Sequence, residues 1–204
     1  MDYRIYHVIN QFVYHHGWLG RGLGVLENWA VPAIAIATFA LWLLARPGGS
    51  RTWKLASASA LASAALALLI NQGIGKIWHR QRPFATHPSA HVWGSRSHDP
   101  SFPSDHASAA FAIAFAVFLF DRLVGAIFLV AAFIIGAGRV FIGAHYPADV
   151  LAGCLVGLGS ALLLARVARP IIERLVRLAE RATDPLLAPL WRSAPRTEKH
   201  PSRL

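Results

Sequence analysis

Apolar residues gather along this chain in five runs, separated by shorter polar stretches rich in charge, glycine and proline. The first clear run extends from about residue 28 to 45 and stops at Arg46-Pro47-Gly48-Gly49-Ser50-Arg51, a turn with cationic flanks. Lys54 opens the second, which continues to about Gly75 through Ala, Ser and Leu, side chains small enough to let neighbouring helices approach inside a membrane. The third, 105–120, is short but unbroken, and Asp121-Arg122 turns the chain into the fourth, Leu123 to about Ile142. The fifth runs from Pro147 to Ala165. Runs of this length, carrying almost no charge, predict bilayer-spanning helices, and five of them predict an all-α polytopic membrane helix bundle.

The flanking segments follow the helical period without the length to span. Residues 3–16 place Ile5, Val8, Ile9, Phe12 and Val13 against Arg4, His7, Asn10 and His15, the pattern of an amphipathic helix lying in the interface. Residues 17–27, with Gly17, Gly20, Gly22 and Gly24, read as a connection. Beyond the fifth run, Arg166, Arg169, Arg174, Arg177 and Arg181 interleave with Ile171, Ile172, Leu175, Val176 and Leu178. That is a basic amphipathic helix, followed by a Pro- and Arg-rich tail expected to be disordered. The organisation expected is a membrane domain over residues 1–165 and a basic helix with its tail over 166–204. No internal repeat is visible. The N-terminus lacks the basic, apolar, small-residue order of a cleavable signal, so none is expected.

Composition agrees with a membrane class, at 55% apolar and 15% charged residues. A formal charge of +10 would also suit nucleic acid, so the position of the charge decides. With five spans, Arg46, Arg51, Lys54, Arg122 and nine Lys or Arg residues between Arg166 and Arg203 share one side, thirteen of the twenty basic residues. The positive-inside rule makes that side cytoplasmic and the other side outward-facing. Topology and anionic lipid thus account for most of the charge, and no nucleic-acid partner is expected. The single cysteine, Cys154, lies in an apolar run and provides neither a disulfide nor a metal-ligand set.

Three polar clusters remain, and the five-span topology puts all of them on the side opposite the basic flank. One is Lys76, Arg80 and Arg82 before Pro83, cations suited to neutralising phosphate oxygens. A second is Ser101-Phe102-Pro103-Ser104-Asp105-His106-Ala107, where a histidine-rich loop becomes a helix. Ser104 or Asp105 can cap that helix, whose unpaired N–H groups offer a seat for an anion, with His106 beside it as a proton donor. The third contains Arg139, His145 and Asp149. His145 and Asp149 share a face if one helix runs through both, whereas Pro147 can instead open a new helix. A carboxylate on one imidazole nitrogen fixes the tautomer and leaves the other nitrogen as a nucleophile.

The order Lys, Arg-Pro, then Pro-Ser-x-His, then Arg-x5-His-x3-Asp resembles the type 2 phosphatidic acid phosphatase superfamily, over roughly residues 3–165. The wording Ser-Phe-Pro-Ser-Asp-His-Ala and the N-terminal Ile-Tyr-His-Val-Ile-Asn resemble its BcrC-type undecaprenyl-diphosphate phosphatases. The resemblance implies that His145 attacks phosphorus to give a phosphohistidine, Asp149 orients it, and His106 protonates the leaving group. It further implies that Arg82 and Arg139, with backbone N–H groups around Ser104 and Asp105, hold the phosphate, and that neither metal nor cofactor is required. Five residues separate Lys76 from Arg82, where that superfamily has six. This turns Lys76 by about 100° on a helix and makes Arg80 an alternative ligand. Gly138 precedes Arg139 where Ser is usual.

The expected function is removal of the terminal phosphate of a polyprenyl diphosphate, with that or another phospholipid substrate and the membrane lipids as partners. A phosphatase for phosphatidylglycerol phosphate or phosphatidic acid is the alternative within the same chemistry. Vanadate-dependent peroxidase activity is disfavoured, because those relatives are soluble. A non-enzymatic lipid-binding or transport protein would tolerate the loss of His145.

Overall fold

A computed structural model describes residues 2–94 and 96–192, most of them helical. In chain order the helices are α1 (Asp2–His15), α2 (Gly17–Leu44), α3 (Thr52–Ile77), α4 (Pro83–Thr86), α5 (Asp105–Phe120), α6 (Arg122–Phe141), α7 (Pro147–Leu163) and α8 (Arg169–Arg192), with a π-helical turn over Leu164–Ala168. α2, α3, α6 and the run that begins with α7 are each long and apolar enough to cross a bilayer, and α5 is the shorter fifth.

α5 is enclosed by α3, α6 and α7. Its residues Ala107 to Ala114, Ala116 and Val117 are all buried. Sixteen residues reach only about 24 Å, short of the ~30 Å hydrocarbon layer. Protein rather than lipid surrounds this helix, so its length is free of the bilayer's demand. Small side chains permit the close packing. A Cβ at Gly153 of α7 would come within 2.9 Å of the Ser104 carbonyl, and one at Gly157 within 2.7 Å of the Ala112 nitrogen. Two buried hydroxyls are satisfied within their own helices, Thr38 donating to the Ile34 carbonyl (2.6 Å) and Ser63 to that of Ser59 (2.7 Å).

The segment expected to connect α1 to the first span is itself helical, so α2 is a single helix of 28 residues. Its glycines mark close packing instead of a loop: Trp93 lies across Gly20 and Gly24, and a Cβ at Gly24 would sit 2.6 Å from the Trp93 carbonyl oxygen. At about 42 Å, α2 is longer than the hydrocarbon layer requires, and its first turns stand beside the polar end of the bundle.

α1 also docks differently from its sequence pattern. Tyr6, Asn10 and Val13 are buried, while Ile5, Val8 and Phe12 point outward. Asn10 clamps the main chain of His91, donating to its carbonyl (2.7 Å) and accepting from its N–H (2.9 Å).

At the opposite end, Asp121 caps α6 by accepting from the N–H groups of Leu123 and Val124, and the Trp53 indole N–H donates to its other oxygen (3.0 Å). Here too, helix continues past the expected end of the fifth span at Ala165, through the π turn into α8. α8 folds back so that Ile172 and Val176 pack on Trp42. Lys54, read from sequence as a cationic flank, is buried and paired with Asp184 (2.5 Å) and Glu180 (3.4 Å) of α8. The tail expected to be disordered lies largely beyond residue 192, outside the described residues.

Candidate active site

The N-terminal ends of α2 and α5, the C-terminal end of α3 and the α6–α7 turn meet at one end of the bundle. In that turn Gly143 adopts φ +83, and a side chain there would run into the His91 carbonyl, so glycine is required twice over. The reversal is pinned by the N–H groups of Ala144 and His145, which donate to the Arg139 carbonyl (3.0 and 3.2 Å). Pro147 then opens α7, with Tyr146 as its N-cap. His145 and Asp149 therefore do not share a helix. Asp149 sits in the first turn of α7, accepting from the Tyr146 N–H (2.9 Å), where the helix dipole favours a carboxylate.

Ser101 joins these two residues. Its carbonyl accepts from His145 Nδ1 (2.8 Å), and its hydroxyl donates to Asp149 Oδ2 (2.5 Å). A carbonyl only accepts, so the proton is on Nδ1 and Nε2 carries the lone pair, which accepts from Arg82 Nη1 at 3.1 Å. Asp149 Oδ2 stands 3.8 Å from Nδ1, beyond hydrogen-bond distance. Burial holds the His145 imidazole well below the usual histidine range, at about 4, with the Asp149 carboxylate opposing and the Arg139 and Arg82 charges reinforcing the shift. The nucleophile candidate is thus neutral near pH 7.

Arg82 is fixed by the carbonyls of Asp99 (3.0 Å) and Ala144 (3.4 Å). Burial lowers its guanidinium from the usual arginine value, and the carboxylates of Asp99, Asp105 and Asp149 work against that. Arg139, from the last turn of α6, forms a buried ion pair with Glu27 of α2. His106 Nε2 lies 3.7 Å from the same Glu27 oxygen. Arg82, Arg139, His106 and His145 line one cavity of about 160 Å³, together with Glu27, Asp99 and Asp105. Elements distant in sequence thus converge on one shared cavity.

The remaining sequence candidates lie around this cavity. Asp149 stands directly behind His145, within its polar support. The Ser104 hydroxyl caps Ala107, and its N–H donates to the Asp149 carbonyl (3.1 Å), which leaves Asp105 and His106 to supply first-turn donors. The Asp105 carboxylate accepts from Asn71 (2.7 Å). Lys76 lines a neighbouring cavity of about 230 Å³ with Asn71, His79 and Asp105. Arg80 binds Asp149 Oδ1 (2.7 Å) and Asp2 (2.5 Å) and stacks on Tyr146. Sequence reasoning passed over Glu27, Asn71, Asp2 and the carbonyl of Ser101. The first had a legible signal, because Arg139 in an apolar run requires a buried counter-charge and Glu27 borders another such run.

A membrane helix bundle that gathers two arginines, two histidines and a helix N-terminus at its polar end has the makings of an enzyme acting on phosphate at the bilayer surface. The sequence matches the PAP2 superfamily over residues 56–172. Undecaprenyl-diphosphatase BcrC of Bacillus subtilis is 29% identical over 183 residues, 88% of this chain and 92% of that protein. The bacitracin transport permease protein BcrC of Bacillus licheniformis is 33% identical over 76% of this chain and 75% of its own length. In fold, the crystal structure of Aquifex aeolicus LpxE superposes with a TM-score of 0.59 at 22% identity, covering 79% of this chain and 93% of that one. The chain belongs to the PAP2 superfamily and is a membrane lipid phosphatase.

Proposed function

We propose that this protein hydrolyses the terminal phosphate of undecaprenyl diphosphate, or a closely similar polyprenyl diphosphate, through a phosphohistidine on His145. The observation that carries the reading is the pairing of a neutral, buried His145, its proton fixed on Nδ1, with Arg82 at Nε2 in a cavity that Arg139 and His106 also line. A terminal phosphate entering this cavity takes over the Arg82 donor and frees the Nε2 lone pair. Nε2 then attacks phosphorus, the bond from phosphorus to the bridging oxygen breaks, and His106 gives its proton to that oxygen, releasing polyprenyl phosphate. Water next attacks the phosphohistidine, His106 takes up its proton, the P–N bond breaks and inorganic phosphate leaves. Arg82, Arg139 and the first-turn N–H groups of Asp105 and His106 stabilise the charge that builds on the phosphoryl oxygens. Asp149, through the Ser101 hydroxyl and its own charge, holds the imidazole as it becomes positive. Lys76 serves the second phosphate from the adjoining cavity.

The substrate assignment is supported by the undecaprenyl-diphosphatase relative, which matches over almost its whole length. Distribution of basic residues supports a site facing the periplasm or exterior, with residues 1–165 as the catalytic unit and the basic helix beyond them at the cytoplasmic surface. Purified protein offered undecaprenyl diphosphate, phosphatidylglycerol phosphate and phosphatidic acid, with phosphate release measured, tests the substrate. Preference for either glycerophospholipid overturns it. Radiolabel trapped by acid-labile linkage on wild type and absent from His145→Ala tests the intermediate, and His106→Ala is expected to be slower by at least about 100-fold.

A further inference from the structure

We propose that Glu27 is a positioning residue of this site, aligning the Arg139 guanidinium and holding on His106 the proton that the leaving group takes. The inference rests on the roles assigned above to Arg139 and His106. Glu27 approaches from α2, outside the three sequence clusters, and contacts a group on α6 and another on α5 with one carboxylate oxygen.

Two features separate this contact from an ordinary structural ion pair. Glu27 pairs with Arg139 on the wall of the cavity itself, where its carboxylate faces any entering phosphate, and not in the apolar part of the bundle. The pair is also incomplete. Glu27 meets Arg139 at Nη1 alone, and Glu27 Oε2 and Arg139 Nε are buried without a hydrogen-bond partner among the described residues. A bidentate fork would have used both. As built, Glu27 tethers the guanidinium at Nη1 and leaves Nε as a donor for a phosphoryl oxygen.

The charges around His106 give Glu27 its second role. Asp105 on the same helix, Asp99 from the loop and Glu27 favour the imidazolium; Arg82 from the loop and Arg139 from α6 oppose it, and His145 faces it as a neutral group. Glu27 supplies negative charge at 3.7 Å from His106 Nε2 and offsets the charge of Arg139. Its removal therefore acts on the His106 proton twice, in the same direction.

The test compares full-length wild type, Glu27→Gln and Glu27→Asp in detergent, on whichever lipid phosphate the wild type hydrolyses. For Glu27→Gln the alkaline fall of kcat/KM is expected about one pH unit lower, with kcat at pH 8 reduced about tenfold, and Glu27→Asp falls between it and wild type. Histidine-selective 15N NMR at pH 7, with His106 assigned through His106→Asn, is expected to show a smaller protonated fraction in Glu27→Gln. Glu27→Gln superimposing on wild type in both measurements overturns the proposal. So does equal impairment of both variants with an unmoved alkaline limb, which is what a merely structural prop produces. If Glu27→Gln does not fold, a Glu27→Asp profile identical to wild type is enough to refute it. Absence of turnover on every lipid would sink the phosphatase chemistry instead, and the NMR comparison would still decide Glu27.

Discussion

Replacing Arg80 by Met separates two accounts of this residue, phosphate ligand and partner of the buried Asp149. Asp149 is fully buried, and its carboxylate receives three contacts: Arg80 Nη1 at 2.7 Å, the Ser101 hydroxyl at 2.5 Å and the Tyr146 N–H at 2.9 Å. Only Arg80 brings a full charge. Removing one member of a buried ion pair costs about 3–5 kcal/mol, because the other charge is left uncompensated. Two neutral donors remain on Asp149 here, which places Arg80→Met near the lower end, at about 3 kcal/mol. The second contact, to Asp2, is partly exposed and adds less than about 1 kcal/mol. Equilibrium unfolding in mixed SDS–detergent micelles measures the loss. The double variant Arg80→Met/Asp149→Asn, in which no unpaired charge is buried, is expected to recover most of it, with a coupling energy of about 2–3 kcal/mol. In turnover assays Arg80→Met lowers kcat more than it raises KM. Unchanged stability together with a rise in KM at constant kcat would refute the pairing and make Arg80 a phosphate ligand.

Three further outcomes are expected. Ser101→Ala removes the hydroxyl from Asp149 while keeping the carbonyl on His145 Nδ1, so kcat falls about tenfold at nearly constant KM, as loss of one buried hydrogen bond of about 1–2 kcal/mol predicts. His145 binds its proton less readily when folded, about 4 against 6.5 unfolded, so the stability it contributes is complete above pH 6.5 and is lost as pH falls from there towards 4. The loss amounts to roughly 3 kcal/mol, and melting of His145→Asn, which lacks this dependence, should decline less between pH 7 and 4. Gly157→Ala presses a methyl group against the α5 backbone and destabilises by about 1–3 kcal/mol, whereas Gly159→Ala, with open space around it, is neutral or mildly stabilising; thermal melts of the two compare them directly.

Much of this architecture could be read along the chain because the bilayer makes the pattern local. A run such as 105–120 must satisfy its backbone hydrogen bonds internally, so apolar length alone predicts helix, and α5 begins and ends where the pattern does. The same logic misread residues 17–27. Gly20 and Gly24 weaken helix propensity and looked like a linker, but they admit Trp93, a residue about seventy positions away whose contribution no local window contains. Lys54 behaved similarly, since its partners on α8 turn a flanking cation into a buried pair.

At the site, His106, His145, Asp149, Arg82 and Arg139 stood out because ionisable and polar groups beside apolar runs are costly unless they serve a purpose. Residue types and spacings along the chain determined the apolar helices and the chemical repertoire at their ends. The three-dimensional packing alone decided which groups meet: that Ser101 stands between His145 and Asp149, that Arg80 belongs to Asp149, and that Glu27 reaches Arg139 and His106. The reason is geometric. A helix fixes the direction of a side chain relative to its own neighbours, whereas the distance between two helices depends on residues as far apart in sequence as Gly157 and Ala112, whose fit is settled when the bundle closes.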